Sequence, residues 1–321
     1  MTQKPIPIFI IGAARTGTTN LCNRLSELNN VTGVTSIYHY GNCESKILRN
    51  QLYWGNLSKF NNFLKFAGHI QYSDYFISAH GDIEKLLKSQ PKDYFNFYLD
   101  LMDSYAIGDQ KLYWVTKLDD LFFVYPKFLK EFLEILTKRY GEGGFRVITI
   151  KRELNSSILS YLYMEGKFAK IRKINIGRLF AIFLQTLRFK FIYQNAKKYF
   201  SSSNWIKFEE YIKDSDEVLS KLNLTCKEDT EPSQEKFMIN SSFTTKKNKK
   251  LRRIDLLTIK FASLLYILKV GGVILNFYNR FHKINNPLYY RQFMHIHQPD
   301  MLRKDLEKRE AFDLIEKLNL S

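Results

Sequence analysis

The chain has 321 residues, 45% of them hydrophobic and 25% charged, with a formal net charge of +17. Such a balance fits one large α/β domain or two smaller ones with a sizeable core, and it speaks against a disordered chain. The three cysteines, Cys22, Cys43 and Cys226, form no C-x-x-C pair, which argues against a disulfide scaffold or a structural zinc site and for a reducing, cytoplasmic compartment.

The excess of cations favours anionic partners such as nucleotides, nucleic acid, acidic glycans or an anionic membrane surface, but does not choose among them. The six histidines are scattered apart from His295 and His297, so no metal is expected. The apolar run from Ile6 to Ala14 is too short to span a bilayer and lacks the pattern of a signal peptide, so it reads as a buried strand.

In chain order, residues 7–14 (PIFIIGAA) predict a central parallel strand ending in glycine. Residues 18–28 carry Leu21, Cys22, Leu25 and Leu28 at helical spacing. Helical stretches are expected around 45–66 and 82–105. Residues 111–120 predict a second strand, and 125–144 an amphipathic helix stopped by glycines. Residues 145–153 (FRVITIKRE) predict a third strand. A helix over 155–169 follows, with Asn155 and Ser156 as candidate N-caps. A long helix over 178–200, a fourth strand over 204–211 and a small helix over 214–224 complete the alternation. The expected fold is a single α/β domain, a three-layer sandwich around a parallel sheet.

The chemistry concentrates at IGAARTGTTNLCNRL, residues 11–25. Gly12 and Gly17 have the glycine spacing of a phosphate-binding P-loop, but Thr18 stands where such loops carry lysine, and the cation has moved to Arg15. Backbone N–H groups of Gly12, Ala13, Ala14, Arg15, Thr16 and Gly17 and the hydroxyls of Thr18 and Thr19 are candidate phosphate donors. Without the lysine that reaches β- and γ-phosphates, a triphosphate donor is disfavoured. A glycine turn that binds nothing would leave the same signature. Arg152, at the end of the third strand, and Ser160, eight residues later, suggest a second anion site at the same sheet edge. Two phosphate sites suit a nucleotide phosphorylated at both 3′ and 5′ positions.

At these motifs the chain resembles the sulfotransferases that use 3′-phosphoadenosine 5′-phosphosulfate (PAPS), and is closer to their bacterial and glycan-type members than to the cytosolic phenol-type ones. RTGTT (15–19) resembles the family's 5′-phosphosulfate loop, and KRELNSSILS (151–160) its 3′-phosphate motif. WVTKLDDLFFVYPKFL (114–129) is similar to the family's Trp-x-x-Lys segment, IKFEEYIKDSDEVLSKL (206–222) to its short strand and following helix, and residues 298–321 to its closing helix. Many members have proline and lysine where this chain has Ala14 and Arg15, and the family's Asp-Pro is replaced by Glu153 and Leu154.

The resemblance implies a P-loop-like fold, PAPS as co-substrate, and an in-line transfer that requires no metal. Acceptor recognition falls to a helical insert at about 45–105 and to 225–295, and the domain closes with a basic loop and helical C-terminal part at about 244–321. It makes Arg15 and Lys117 the candidates for holding the sulfonate and leaving-group oxygens. Glu44 stands at the distance beyond the loop where the glycan-type branch carries its base, with His39 as the alternative. Adenine would pack against Phe208 or Tyr211.

Lys246 and Lys247 open a basic run over 244–253 that either folds over the 3′-phosphate, meets a membrane surface or is simply solvated. The apolar stretch 254–278 is interrupted by Lys260 and Lys269, and Gly271-Gly272 is expected to break it. It reads as a partly buried helix, with peripheral membrane contact through 244–278 as a second reading. Two other functions stay open: a nucleotide kinase with a divergent P-loop, and a non-enzymatic basic binding protein for membrane or nucleic acid. No nucleic-acid motif supports the latter.

Overall fold

The computed structural model describes residues 4–33, 35–36, 41–42, 94–118, 123, 126–169, 176–222, 224 and 251–285. Five parallel strands form the central sheet. They are β1 (Ile6–Ile11), β2 (Val31–Thr32), β5 (Tyr113–Lys117), β6 (Arg146–Lys151) and β7 (Asn204–Lys207), in the order β2-β5-β1-β6-β7. A small antiparallel pair, β3 (Thr35–Ser36) and β4 (Gly41–Asn42), lies apart from it.

β1 is central because it is apolar on both faces. Phe9 and Ile11 point into one core with Trp114, Phe95, Phe132 and Phe189. Ile8 and Ile10 point into the other with Leu21, Leu25, Ile148 and Tyr211. The first core is closed by α2 (Tyr94–Gly108), α3 (Pro126–Tyr140) and the end of α5 (Ile176–Tyr199). The second is closed by α1 (Thr18–Ser26), α6 (Phe208–Lys213) and α7 (Ser215–Ser220). The expected three-layer α/β sandwich is therefore present.

Buried Asp103 ties the first layer together. It accepts hydrogen bonds from Trp114 Nε1 at 2.8 Å, Arg139 Nη2 at 2.7 Å and the Tyr140 hydroxyl at 2.9 Å. Joining β5, α2 and α3 through a fully engaged carboxylate fixes how the helices seat on the sheet.

Three local expectations change. The strand expected over 204–211 stops at Lys207, and Phe208–Lys213 is helical, with Glu209 and Glu210 in the favourable first turn. Neither Asn155 nor Ser156 caps the helix α4 (Leu154–Ala169). The Glu153 carboxylate does so, accepting from the backbone of Asn155 at 2.9 Å and Ser156 at 2.6 Å. Burial opposes ionisation of Glu153, but these hydrogen bonds and the nearby Arg152 charge hold its pKa below the usual value.

The third change concerns residues 254–278, where the expected break is present but falls ahead of Gly271-Gly272. α8 (Arg253–Ile267) and α9 (Val270–Asn285) meet at a bend of 107°. The break falls at Lys269, whose φ is 61°. Gly271 and Gly272 lie inside α9 and serve contact instead. A Cβ on Gly271 would stand 2.7 Å from Leu187 Cδ2, and one on Gly272 would stand 3.2 Å from Phe191 Cζ. The missing side chains let α9 approach α5 closely. Arg178 of α5 pairs with the fully buried Asp255 of α8 at 2.8 Å and completes the attachment.

The remaining sequence expectations on 45–66, on 82–93, and on 298–321 lie outside the described residues.

Candidate active site

In parallel sheets ligands bind at the carboxyl edge, where neighbouring connections diverge. Here the chain runs from β1 to β2 on one side, and the connection after β5 crosses β1 to β6 on the other, so the divergence lies at the end of β1. The loop Gly12–Gly17 occupies that position.

The loop is built by close approach and by left-handed backbone. A Cβ on Gly12 would lie 2.6 Å from both Thr16 Oγ1 and Thr18 Cγ2, and 2.9 Å from the Ile150 carbonyl oxygen. Gly17 has φ 93° and abuts the Phe208 ring, where a Cβ would be 2.7 Å from ring carbons. Arg15 also adopts a positive φ, 68°. A non-glycine residue there costs about 1 kcal/mol or more and persists only where the surroundings enforce it.

Two side chains do the enforcing. The buried Thr16 hydroxyl donates to the Ala13 carbonyl at 2.7 Å. The Tyr193 hydroxyl donates to the Ile150 carbonyl at 2.8 Å and accepts from the Ala13 N–H at 3.2 Å. Burial pushes the Tyr193 pKa up to about 12, so its hydroxyl keeps the proton it donates. Of the backbone N–H groups expected as phosphate donors, that of Ala13 is thus engaged by Tyr193, and that of Thr16 donates to the Ala13 carbonyl at 3.2 Å.

Three cations converge on what is left. Arg15 is half-buried, and its Nε has no hydrogen-bond partner among the described residues. Burial lowers its pKa from the usual value. Arg152, at the end of β6, donates to the Arg15 carbonyl at 3.2 Å and lies over the Phe208 ring at 4.5 Å. Burial lowers its pKa too, and the Arg15 charge adds to that against the opposing carboxylates Glu209 and Glu153. Lys117, buried at the end of β5, donates from Nζ to Thr19 Oγ1 at 2.8 Å. The first turn of α1 begins at Gly17 with no side-chain cap. Its N–H groups and partial positive charge add to the same field.

Two guanidiniums held together against burial and mutual repulsion make a site that an anion stabilises. The buried Arg15 Nε and the uncapped helix start both fit a phosphate-like group.

No family model matches the chain, and no curated protein matches it. One solved structure that is similar is the sulfotransferase domain from the curacin biosynthetic pathway, at 19% identity over 69% of this chain and 73% of that one, with a TM-score of 0.42. A similarity of that size carries no argument about chemistry, which rests on the residues.

The other sequence candidates are placed as follows. Ser160 lies within α4 and is buried. Phe208 and Tyr211 are packed in the second core, Phe208 between Gly17 and Arg152 and Tyr211 donating to Asn20 Oδ1 at 2.7 Å. Neither is an open adenine platform, because both rings are needed to close α6 onto the sheet. Glu44, His39, Lys246 and Lys247 lie outside the described residues. The sequence does not single out Tyr193. Its partner Ala13 is 180 residues away, and nothing local in a long apolar helix marks one tyrosine as a loop anchor.

Proposed function

We propose that the chain is a sulfotransferase that moves the sulfuryl group of PAPS to a hydroxyl or amine of a carbohydrate, lipid or other small acceptor. The observation that carries this reading is the convergence of Arg15, Arg152 and Lys117, from three adjacent strand ends, on a glycine loop lacking the P-loop lysine. The loop suits the 5′-phosphosulfate. Arg152, with Ser160 on the following helix and Lys246 and Lys247 from the basic run, is assigned to the 3′-phosphate.

In the reaction, the acceptor oxygen or nitrogen attacks sulfur in line with the bridging S–O bond. That bond breaks, and its electron pair stays on the 5′-phosphate of adenosine 3′,5′-bisphosphate. Arg15, Lys117 and the α1 N-terminus stabilise the charge that grows there. The acceptor proton passes to Glu44, with His39 as the alternative base. Positioning and electrostatics carry the rate, as in phosphoryl transfer.

Calorimetry with adenosine 3′,5′-bisphosphate tests the reading. Binding without magnesium is expected. Binding of magnesium ATP with none of the bisphosphate would instead indicate a kinase-like site and overturn it. Arg152→Ala should weaken the bisphosphate about 10- to 100-fold, the effect of losing a hydrogen bond to a charged group. For the base, Glu44→Gln should leave bisphosphate affinity unchanged and abolish transfer from labelled PAPS. Full activity in that variant would move the role to His39 or elsewhere.

A further inference from the structure

α8 is apolar on two opposite faces. Asp255, Ile259 and Ala262 face inward and are buried. Ile254, Leu257, Phe261, Leu264 and Leu268 recur at intervals of three and four on the outward side, and all are exposed, Leu257 at 63%. The elbow and α9 continue this surface with Ile267, Val270, Val273 and Phe277, exposed at 71%, 45%, 70% and 73%. Aromatic contacts make it continuous across helices. Phe261 approaches Phe183 of α5 at 6.2 Å, Phe183 stacks on the exposed Phe180 at 6.4 Å, and Phe180 meets Tyr278 of α9 at 5.5 Å. An apolar surface of this extent marks a docking face.

Charge selects the occupant. Asp255 is the sole acidic residue between Arg252 and Tyr278, and it is fully buried against Arg178. The exposed charges of that stretch, Arg252, Arg253, Lys260 and Lys269, are all cationic. The sequence immediately before them adds Lys246, Lys247, Lys249 and Lys250. A second copy of this face would bring like charges together. An anionic bilayer would meet both the apolar stripe and its cationic border. No single described helix is long and apolar enough to cross a membrane, and the 107° bend presents the elbow Ile267–Val270 as a projecting corner.

We infer that α8 and α9 seat the protein on an anionic membrane surface, the elbow entering the headgroup boundary and Lys260 and Lys269 contacting lipid phosphates. The orientation bears on the catalytic proposal. Tyr193 marks the carboxyl edge of the sheet, and α5 descends from it toward β7. The preceding part of α5, roughly 25 Å at 1.5 Å per residue, stands beyond that edge with α8 and α9 packed on it. The docking face thus lies on the same side of the sheet as the loop.

Co-sedimentation of the full chain with phosphatidylcholine vesicles, with and without phosphatidylserine, tests the inference. Binding is expected only with the anionic lipid and should weaken in high salt. The variants Ile267→Glu and Leu268→Glu alter exposed side chains and should keep the wild-type circular dichroism and melting temperature. Each should reduce vesicle partitioning at least about tenfold. Absence of vesicle binding by the full chain, or equal binding by these variants, overturns the inference. A dimer in sedimentation velocity that Ile267→Glu dissolves, without vesicle binding, would also overturn it and assign the face to a second copy. None of these readouts depends on PAPS, so they stand or fall separately from the catalytic reading.

Discussion

Lys117→Met is expected to lower the rate of sulfuryl transfer by roughly 10²–10³-fold, the usual cost of removing one preorganised group from developing charge, while changing bisphosphate affinity little. The expectation follows from where Lys117 stands. A P-loop carries its lysine within the loop, and here that position is Thr18. The structure places an ammonium at the same helix start from the neighbouring strand, with Lys117 Nζ 2.8 Å from Thr19 Oγ1. Methionine keeps most of the stem's volume in a buried position, so the substitution removes charge more than packing. Single-turnover kinetics with labelled PAPS, set beside calorimetry, separate the two effects. A loss confined to affinity would make Lys117 a ground-state binder. A loss confined to melting temperature would make it a brace for Thr19.

The second large effect is expected at Gly12. Gly12→Ala should destabilise the fold by roughly 2–3 kcal/mol, the upper range for forcing a methyl group into a packed site, and should abolish bisphosphate binding. Two of the three atoms in the way could shift only by breaking the loop's own contacts. Thr16 Oγ1 is held by the Ala13 carbonyl, and the Ile150 oxygen belongs to the backbone of β6. The new Cβ therefore has to push the end of β1 away from β6, at the point where Arg15 and Arg152 meet. Urea unfolding gives the stability term. Restored binding in Gly12→Ala would mean that the loop tolerates a wider mouth than its packing indicates.

Much of the framework is legible in the residues alone. The apolar runs of β1, β5 and β6 predict strands buried on both faces, and the glycine spacing after β1 predicts the loop. The shared carboxyl edge of parallel strands is enough to predict that Arg152 lies near Arg15, and its Nη1 reaches the Arg15 carbonyl. What escapes a reading of the sequence depends on distant partners. Gly271-Gly272 looks like a helix break, because glycine costs about 1 kcal/mol in a helix interior. Close packing against Leu187 and Phe191 outweighs that cost and moves the break to Lys269. Phe208 looks like a platform for a base until Gly17 and Arg152 are seen on it. Asp103 is one aspartate among many in the sequence, and its role needs Trp114, Arg139 and Tyr140 brought to it by the fold.

The hydroxyl of Tyr193 has a mechanical meaning. It grips β6 at Ile150 and the loop at Ala13 from a helix whose far end carries the exposed apolar layer. α5 is thus a rod pinned at the loop, with one arm packed in the first core and the other under α8 and α9. The loop's curvature and the attitude of that outer layer are set by the same pin.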